Sequence, residues 1–379
     1  MKSNYRRIGD YIQECDKRNV NDLPLPLCGV SIDKKFIKSV ANVIGTDLTK
    51  YKVVSCNQFV CSLMQVSRDE KIPIALWTNE DIIVSPAYKV FEVIDMDKLL
   101  PEYLNLWFKR SEFDREASYY GVGGVRGSLE WSDFCNMELP IPEINEQRRI
   151  VDAYKAIEHR IEIKRKINDN LESQALAIFE ERFDINKSSS ISKTVPAESI
   201  FDISIGKTPQ REQLEYFSAD SNDSLWISIS DMRSQGMFVR STQERVTQKA
   251  ILECNMKVIP ANTVIYSFKM TNGMTSITTQ ASMTNEAIAR FKTNKRELLE
   301  YTYLYLKSFN FSTFGSTSSI TEAVNSKIIK AMPFHLPNEK ELIEFHLLVK
   351  PIFNRIFHSL KEIDALQALL DALLQTLSR

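Results

Sequence analysis

The chain has 379 residues, 43% hydrophobic and 26% charged, with a formal net charge of −1. That length is enough for two or three domains with cores of their own, and that balance excludes a polycation gripping nucleic acid through overall charge. A local basic patch stays open, because the segment up to residue 145 is slightly acidic and the segment 191–337 slightly basic.

The N-terminus, MKSNYRRIGDYIQECDK, has no apolar core of a secretory signal, and no run reaches membrane-spanning length. A cytoplasmic location is expected. The cysteines (Cys15, Cys28, Cys56, Cys61, Cys135, Cys254) form no CxxC pair and have no histidine cluster beside them. They read as reduced, mostly buried thiols, with no metal site.

The apolar spacing predicts a short amphipathic helix from Ile8 to Cys15. Strand-like runs follow at Lys52–Ser55, Gln58–Cys61, Ile72–Trp77, Ile82–Val84 and Tyr88–Val93, several bounded by Asn, Asp or Pro. Pro101 opens a helix that carries Tyr103, Leu104, Trp107 and Phe108 on one face. Tyr119 to Ser128 is the most glycine-rich loop. Then comes a stretch without Pro or Gly, Glu146 to Phe183. Its positions Ile150, Tyr154, Ile157, Ile161, Lys164, Asn168, Leu171, Ala175 and Ile178 alternate steps of four and three. That is a heptad seam, apolar except at Lys164 and Asn168.

A Ser-rich connector precedes a second series: strand-like runs at Leu225–Ile229, Lys257–Pro260 and Val264–Phe268, then a helix at Glu300–Leu306. A shift of 195 carries the first seam onto Phe345, Val349, Ile352, Ile356, Ser359, Ile363, Leu366, Leu370 and Leu373, where only Ser359 is polar. A narrow apolar stripe needs a partner, and each long helix is the obvious partner of the other. The seam predicts an antiparallel intramolecular coiled coil of roughly 43 Å, with its polar centre either fixing register or letting Lys164 snorkel outward. The expected division is 1–145, 146–190, 191–337 and 338–379: globule, helix, globule, helix.

This layout resembles the specificity subunit of type I restriction-modification systems over essentially the whole chain. The stretches that carry the likeness are Leu139-Pro140-Ile141-Pro142, Glu146-Gln147-Arg148-Arg149-Ile150, and Ile205-Gly206-Lys207-Thr208-Pro209-Gln210-Arg211. The second helix departs from it, opening Leu336-Pro337-Asn338-Glu339-Lys340-Glu341-Leu342. The resemblance implies an α+β fold with two α/β target-recognition globules, separated by the paired helices in a pseudo-twofold repeat. It implies no catalysis in this chain, with methyl donor and nucleotide on partner subunits. Double-stranded DNA, two modification subunits and restriction subunits would be the partners.

Candidate DNA contacts are Tyr119, Tyr120, Gly123 and Arg126 in the glycine loop. In the second half they are Lys207, Thr208, Arg211, Lys269, Asn272 and Ser316. Glycines admit close backbone approach, and Arg is the commonest bidentate reader of guanine. For any single lysine or arginine here, a solvated surface charge is the competing reading. Gly206-Lys207-Thr208 is not a phosphate-binding P-loop, because Phe201 stands where its first glycine would fall. Ser85-Pro86-Ala87-Tyr88 distantly suggests an adenine methyltransferase but lacks the leading Asn or Asp. A scaffold whose globules bind proteins is the third reading. Salt-dependent binding to duplex DNA separates it from the first.

Overall fold

The computed structural model describes residues 4–39, 45–64, 66–122, 127–183, 191–269, 273–309 and 325–377. The chain divides into two units, residues 1–163 with 362–379, and residues 164–361.

In the first unit the strands Ile12–Cys15, Lys89–Val93, Gln58–Cys61 and Ile74–Leu76 lie side by side in that order, all antiparallel. A second sheet runs Phe36–Lys38, Leu27–Val30, Ile82–Val84, Lys52–Val54, with the middle pair parallel. In the second unit, Asp202–Ile205, Ile288–Lys292, Val264–Ser267 and Thr275–Thr278 repeat the first order, and Phe238–Val239 adds a parallel edge. Ser224–Ile227 runs parallel to Ser282–Thr284, as Leu27–Val30 does to Ile82–Val84. The fold is α+β, and the internal repeat extends from the helices to the sheets.

Each long helix is fed by a two-stranded ribbon. Tyr5–Arg7 pairs with Glu138–Pro140 before the helix Ile144–Phe183, and Ile191–Pro196 pairs with Pro333–Pro337 before the helix Glu339–Thr376. Equivalent tyrosines pin the ribbons. The Tyr103 hydroxyl donates to the Pro140 carbonyl at 3.1 Å, and that of Tyr301 to the His335 carbonyl. In the first turn of the first long helix, Gln147 is fully buried. Its amide oxygen accepts from Leu100 N, and its amide nitrogen donates to the Lys98 and Pro142 carbonyls. The matching position 195 residues on is Leu342, also buried. The difference between the two helix openings is therefore internal: a polar lock in one and an apolar plug in the other.

Every seam position is buried or half-buried. Within the first unit Arg160 meets Glu362 at 4.0 Å, and the charge of Asp371 reaches Tyr154, so one helix number falls as the other rises. Within the second, Phe183 packs on Phe345 with centroids 5.1 Å apart, and Arg182 meets Glu341 at 3.9 Å. The pairing is antiparallel in the first unit. Asn168 and Ser359 are buried in the seam while Lys164 is half-exposed, and neither polar atom of the Asn168 amide has a partner among the described residues. Pro351 sits inside the second helix, where it withholds one backbone donor.

Four expectations need correction. Ile8–Cys15 is not a helix but a 3-10 turn, Ile8–Asp10, followed by the strand Ile12–Cys15. Two apolar residues four apart suit a helix face, but Ile12 is held instead by pairing with Val93. Lys257–Pro260 forms only an isolated bridge from Ile259 to Ser282, since Pro260 cannot donate and Asn262 turns the chain at φ 61°. Tyr119 to Gly121 are the last turn of a helix, Ser111–Gly121, not loop. Of the cysteines only Cys61 is buried, and Cys56 is exposed.

Candidate nucleic-acid interface

The strand Asp202–Ile205 ends in Gly206, and the chain there runs against the backbone of Thr284 and Asn285. A Cβ on Gly206 would lie 2.1 Å from both carbonyl oxygens, so only glycine fits. Gly206 N donates to Ile288 O at 3.2 Å, Lys207 N to Thr284 O at 2.9 Å, and the Trp226 indole to Lys207 O at 3.0 Å. This backbone anchoring aims the next side chains. Lys207 Nζ donates to Cys254 O at 3.1 Å, and the Thr208 hydroxyl to the Glu286 carboxylate. The Arg211 guanidinium lies 4.5 Å from the Phe217 ring centroid and 5.0 Å from that of Trp226, and it pairs with Glu244 at 2.7 Å. Lys207, Thr208 and Arg211 are thus carried on one anchored segment. Arg211 is stacked and neutralised, which fits a positioned platform better than a free reader of bases.

Lys269 is exposed, with its ammonium 5.9 Å from the ring of its neighbour Phe268, and no described contact ties it to that segment. In the first unit Tyr119 and Tyr120 close their helix 76% and 45% exposed, with rings 5.8 Å apart edge to face, and Val122 beyond them is exposed too. Gly121 and Gly127 both lie close to Ser67. A Cβ on Gly121 would come within 3.4 Å of Ser67 N, and Gly127, at φ +73°, lies against the Ser67 hydroxyl. Gly123, Arg126, Asn272 and Ser316 lie outside the described residues.

The model of the type I restriction modification DNA specificity domain matches the chain twice, over residues 33–173 and 192–379. The chain belongs to the type I restriction-modification specificity family. It is 24% identical over 325 residues to the type I restriction enzyme MjaIX specificity subunit of Methanocaldococcus jannaschii, covering 75% of this chain and 70% of that one. To the HindI specificity subunit of Haemophilus influenzae it is 21% identical over 378 residues, 79% of this chain and 81% of that one. The crystal structure of the type I restriction-modification S subunit from M. genitalium shares its fold, with a TM-score of 0.53 at 12% identity over 98% of this chain and 95% of that one.

For a specificity subunit, which works with DNA and with other subunits of its complex, the repeat points to further candidate residues that the motifs do not single out. The position of Lys207, just past its strand, is held in the first unit by Lys17, an offset of 190. Lys17 and its neighbour Arg18 are tied to Asp81 at 3.7 Å and Asp16 at 2.7 Å. Beneath them Lys52 is buried between Glu14 and Asp16. The offset of 195 that aligns the helices does not carry over to these segments, so a single-offset search passes over them. Arg290 was missed as well. Its guanidinium, 3% exposed, donates to Lys257 O at 2.8 Å and Ile205 O at 2.6 Å, and burial holds its pKa below the ordinary value.

Proposed function

We propose that each unit reads one half of a split, asymmetric DNA site, while the paired helices set the spacing of the halves and dock the modification subunits. The observation that carries this reading is the repeated strand order that keeps a lysine at one equivalent position, Lys17 and Lys207, and changes the side chain beside it, Arg18 in one unit and Thr208 in the other. A common frame with different surface groups suits two readers of different sequence held in register. Docking on the helices is supported by their outward apolar residues. Ile343, Leu347 and Leu348 of one helix and Ile163 and Ile167 of the other are 43–65% exposed although the seam itself is filled. Solvent-facing aliphatic residues on a charged coil suit a partner surface.

The candidate contacts with DNA are Tyr119, Tyr120, Lys207, Thr208, Arg211 and Lys269. Methyl transfer and cleavage belong to partner subunits in this reading, as do their methyl donor and nucleotide. The test is methylation-site mapping with the reconstituted complex. Exchanging residues 1–145 for the matching segment of a relative alters one half-site and leaves the other intact. An exchange that alters both halves together, or neither, refutes independent reading. Methyl transfer by the purified chain alone would move the catalytic role into it.

A further inference from the structure

The second unit holds a cavity of about 170 Å³ where the end of the strand Asp202–Ile205 meets the strand Ser282–Thr284 and the turn after the short helix Gln248–Glu253. It exceeds the ~30 Å³ share of one water several-fold and falls below the ~300 Å³ of a drug-sized site. Its wall includes Ser204, Lys207, Asn255, Lys257, Thr284 and Arg290 and, among the described residues, no carboxylate. Asp202 is the acid whose charge reaches Arg290, from outside that wall.

Two of these side chains are buried yet incompletely used. Thr284 is fully buried and Arg290 is 3% exposed, and neither Thr284 Oγ1 nor Arg290 Nε has a partner among the described residues. A guanidinium offers five N–H donors, and the two carbonyls on Arg290 leave it donors to spare. Lys207 Nζ, likewise, gives one bond to Cys254 O and has further hydrogens. Three cations, with Thr284 and Arg290 each carrying an unmatched polar atom, line one small space with no acid among the described residues of its wall, and such a lining is complementary to a compact oxyanion.

We propose that this cavity is a phosphate-binding site, filled either by a backbone phosphate of bound DNA or by free inorganic phosphate. Only the first source rests on the DNA-reading function proposed above.

The test compares thermal unfolding of the full chain in sodium phosphate and in sodium chloride at equal pH and ionic strength. Phosphate is also excluded from protein surfaces and stabilises any fold that way, so the readout is the difference between wild type and variants. The wild type gains a saturable rise in midpoint, and Thr284→Val and Lys207→Met each lose it. Thr284→Val keeps its midpoint in chloride, because its hydroxyl leaves no partner behind.

The source is read from duplex binding by the complex reconstituted with modification subunits. If DNA supplies the phosphate, both variants weaken binding by the same factor on every sequence, inorganic phosphate competes, and Lys207→Met lowers the salt slope by about one unit. If free phosphate is the ligand, duplex affinity is unchanged while the thermal shift is lost. A phosphate rise equal in wild type and both variants, with unchanged duplex affinity, overturns the proposal. Sequence-blind binding by the wild-type complex would instead overturn the DNA-reading function and leave the thermal result standing.

Discussion

Replacing Gly206 by alanine separates a structural glycine from one that lets DNA approach. The new methyl would sit 2.1 Å from the carbonyl oxygens of Thr284 and Asn285, so the segment or the facing turn has to move. Three hydrogen bonds hold that contact: Gly206 N to Ile288 O, Lys207 N to Thr284 O, and Trp226 Nε1 to Lys207 O. At ~0.5–1.5 kcal/mol net for each, their loss destabilises the second unit by about 1.5–4.5 kcal/mol. With an m-value near 3 kcal/mol/M, the urea midpoint falls by roughly 0.5–1.5 M. The assay is urea unfolding followed by Trp226 fluorescence against a tryptophan-substituted control. An unchanged midpoint together with weakened DNA binding would refute the packing argument and place Gly206 at the DNA surface.

Asn168→Leu removes a buried amide without partners and stabilises the second unit by about 1–3 kcal/mol. At 2–4 °C per kcal/mol for a unit of that size, calorimetry should show the midpoint rising by some degrees, and a fall would mean that the amide is satisfied. Lys34→Met strands Asp114, which pairs with Lys34 at 2.7 Å with both side chains nearly buried. The first unit then loses about 3–5 kcal/mol, measured by denaturant unfolding, and an undiminished stability would show that Ile72 N alone suffices for the carboxylate. Burial holds His335 below the ordinary histidine pKa, so the unfolded chain takes up its proton first. Its share of stability is present above about pH 6.5 and is lost as pH falls through that value toward the folded pKa. His335→Gln should flatten the stability profile in that window, and an identical pH profile would refute the assignment.

The long helices were legible because a heptad seam repeats one simple distance rule over many turns, and the same rule found the partner helix. Short elements were not. Ile8 and Ile12 satisfy a helix face and a turn followed by a strand equally well, and only pairing with the distant Val93 decides between them. In the candidate interface the sequence singled out Lys207 and Arg211 by type. It could not show that Glu244 occupies one and the Cys254 carbonyl holds the other. Arg290 was invisible for a related reason. Its neighbours across the cavity, Ser204, Lys257 and Thr284, come from separate parts of the chain, and no local spacing links them. The Gln147 lock reads in sequence only as part of a family-like stretch, because burial of one amide among three backbone groups leaves no periodic trace.

The first unit is completed by residues 362–379, while the second is one continuous segment, 164–361. On a ribosome adding ~5–20 residues per second, the stretch carrying Tyr154 and Ile161 waits roughly 10–40 s before its helical partner is made. A chain ending at residue 361 holds all of the second unit and lacks the helical partner of the first. Released chains truncated there should therefore expose the apolar stripe of the first half-helix to chaperones and proteases, while the second unit resists.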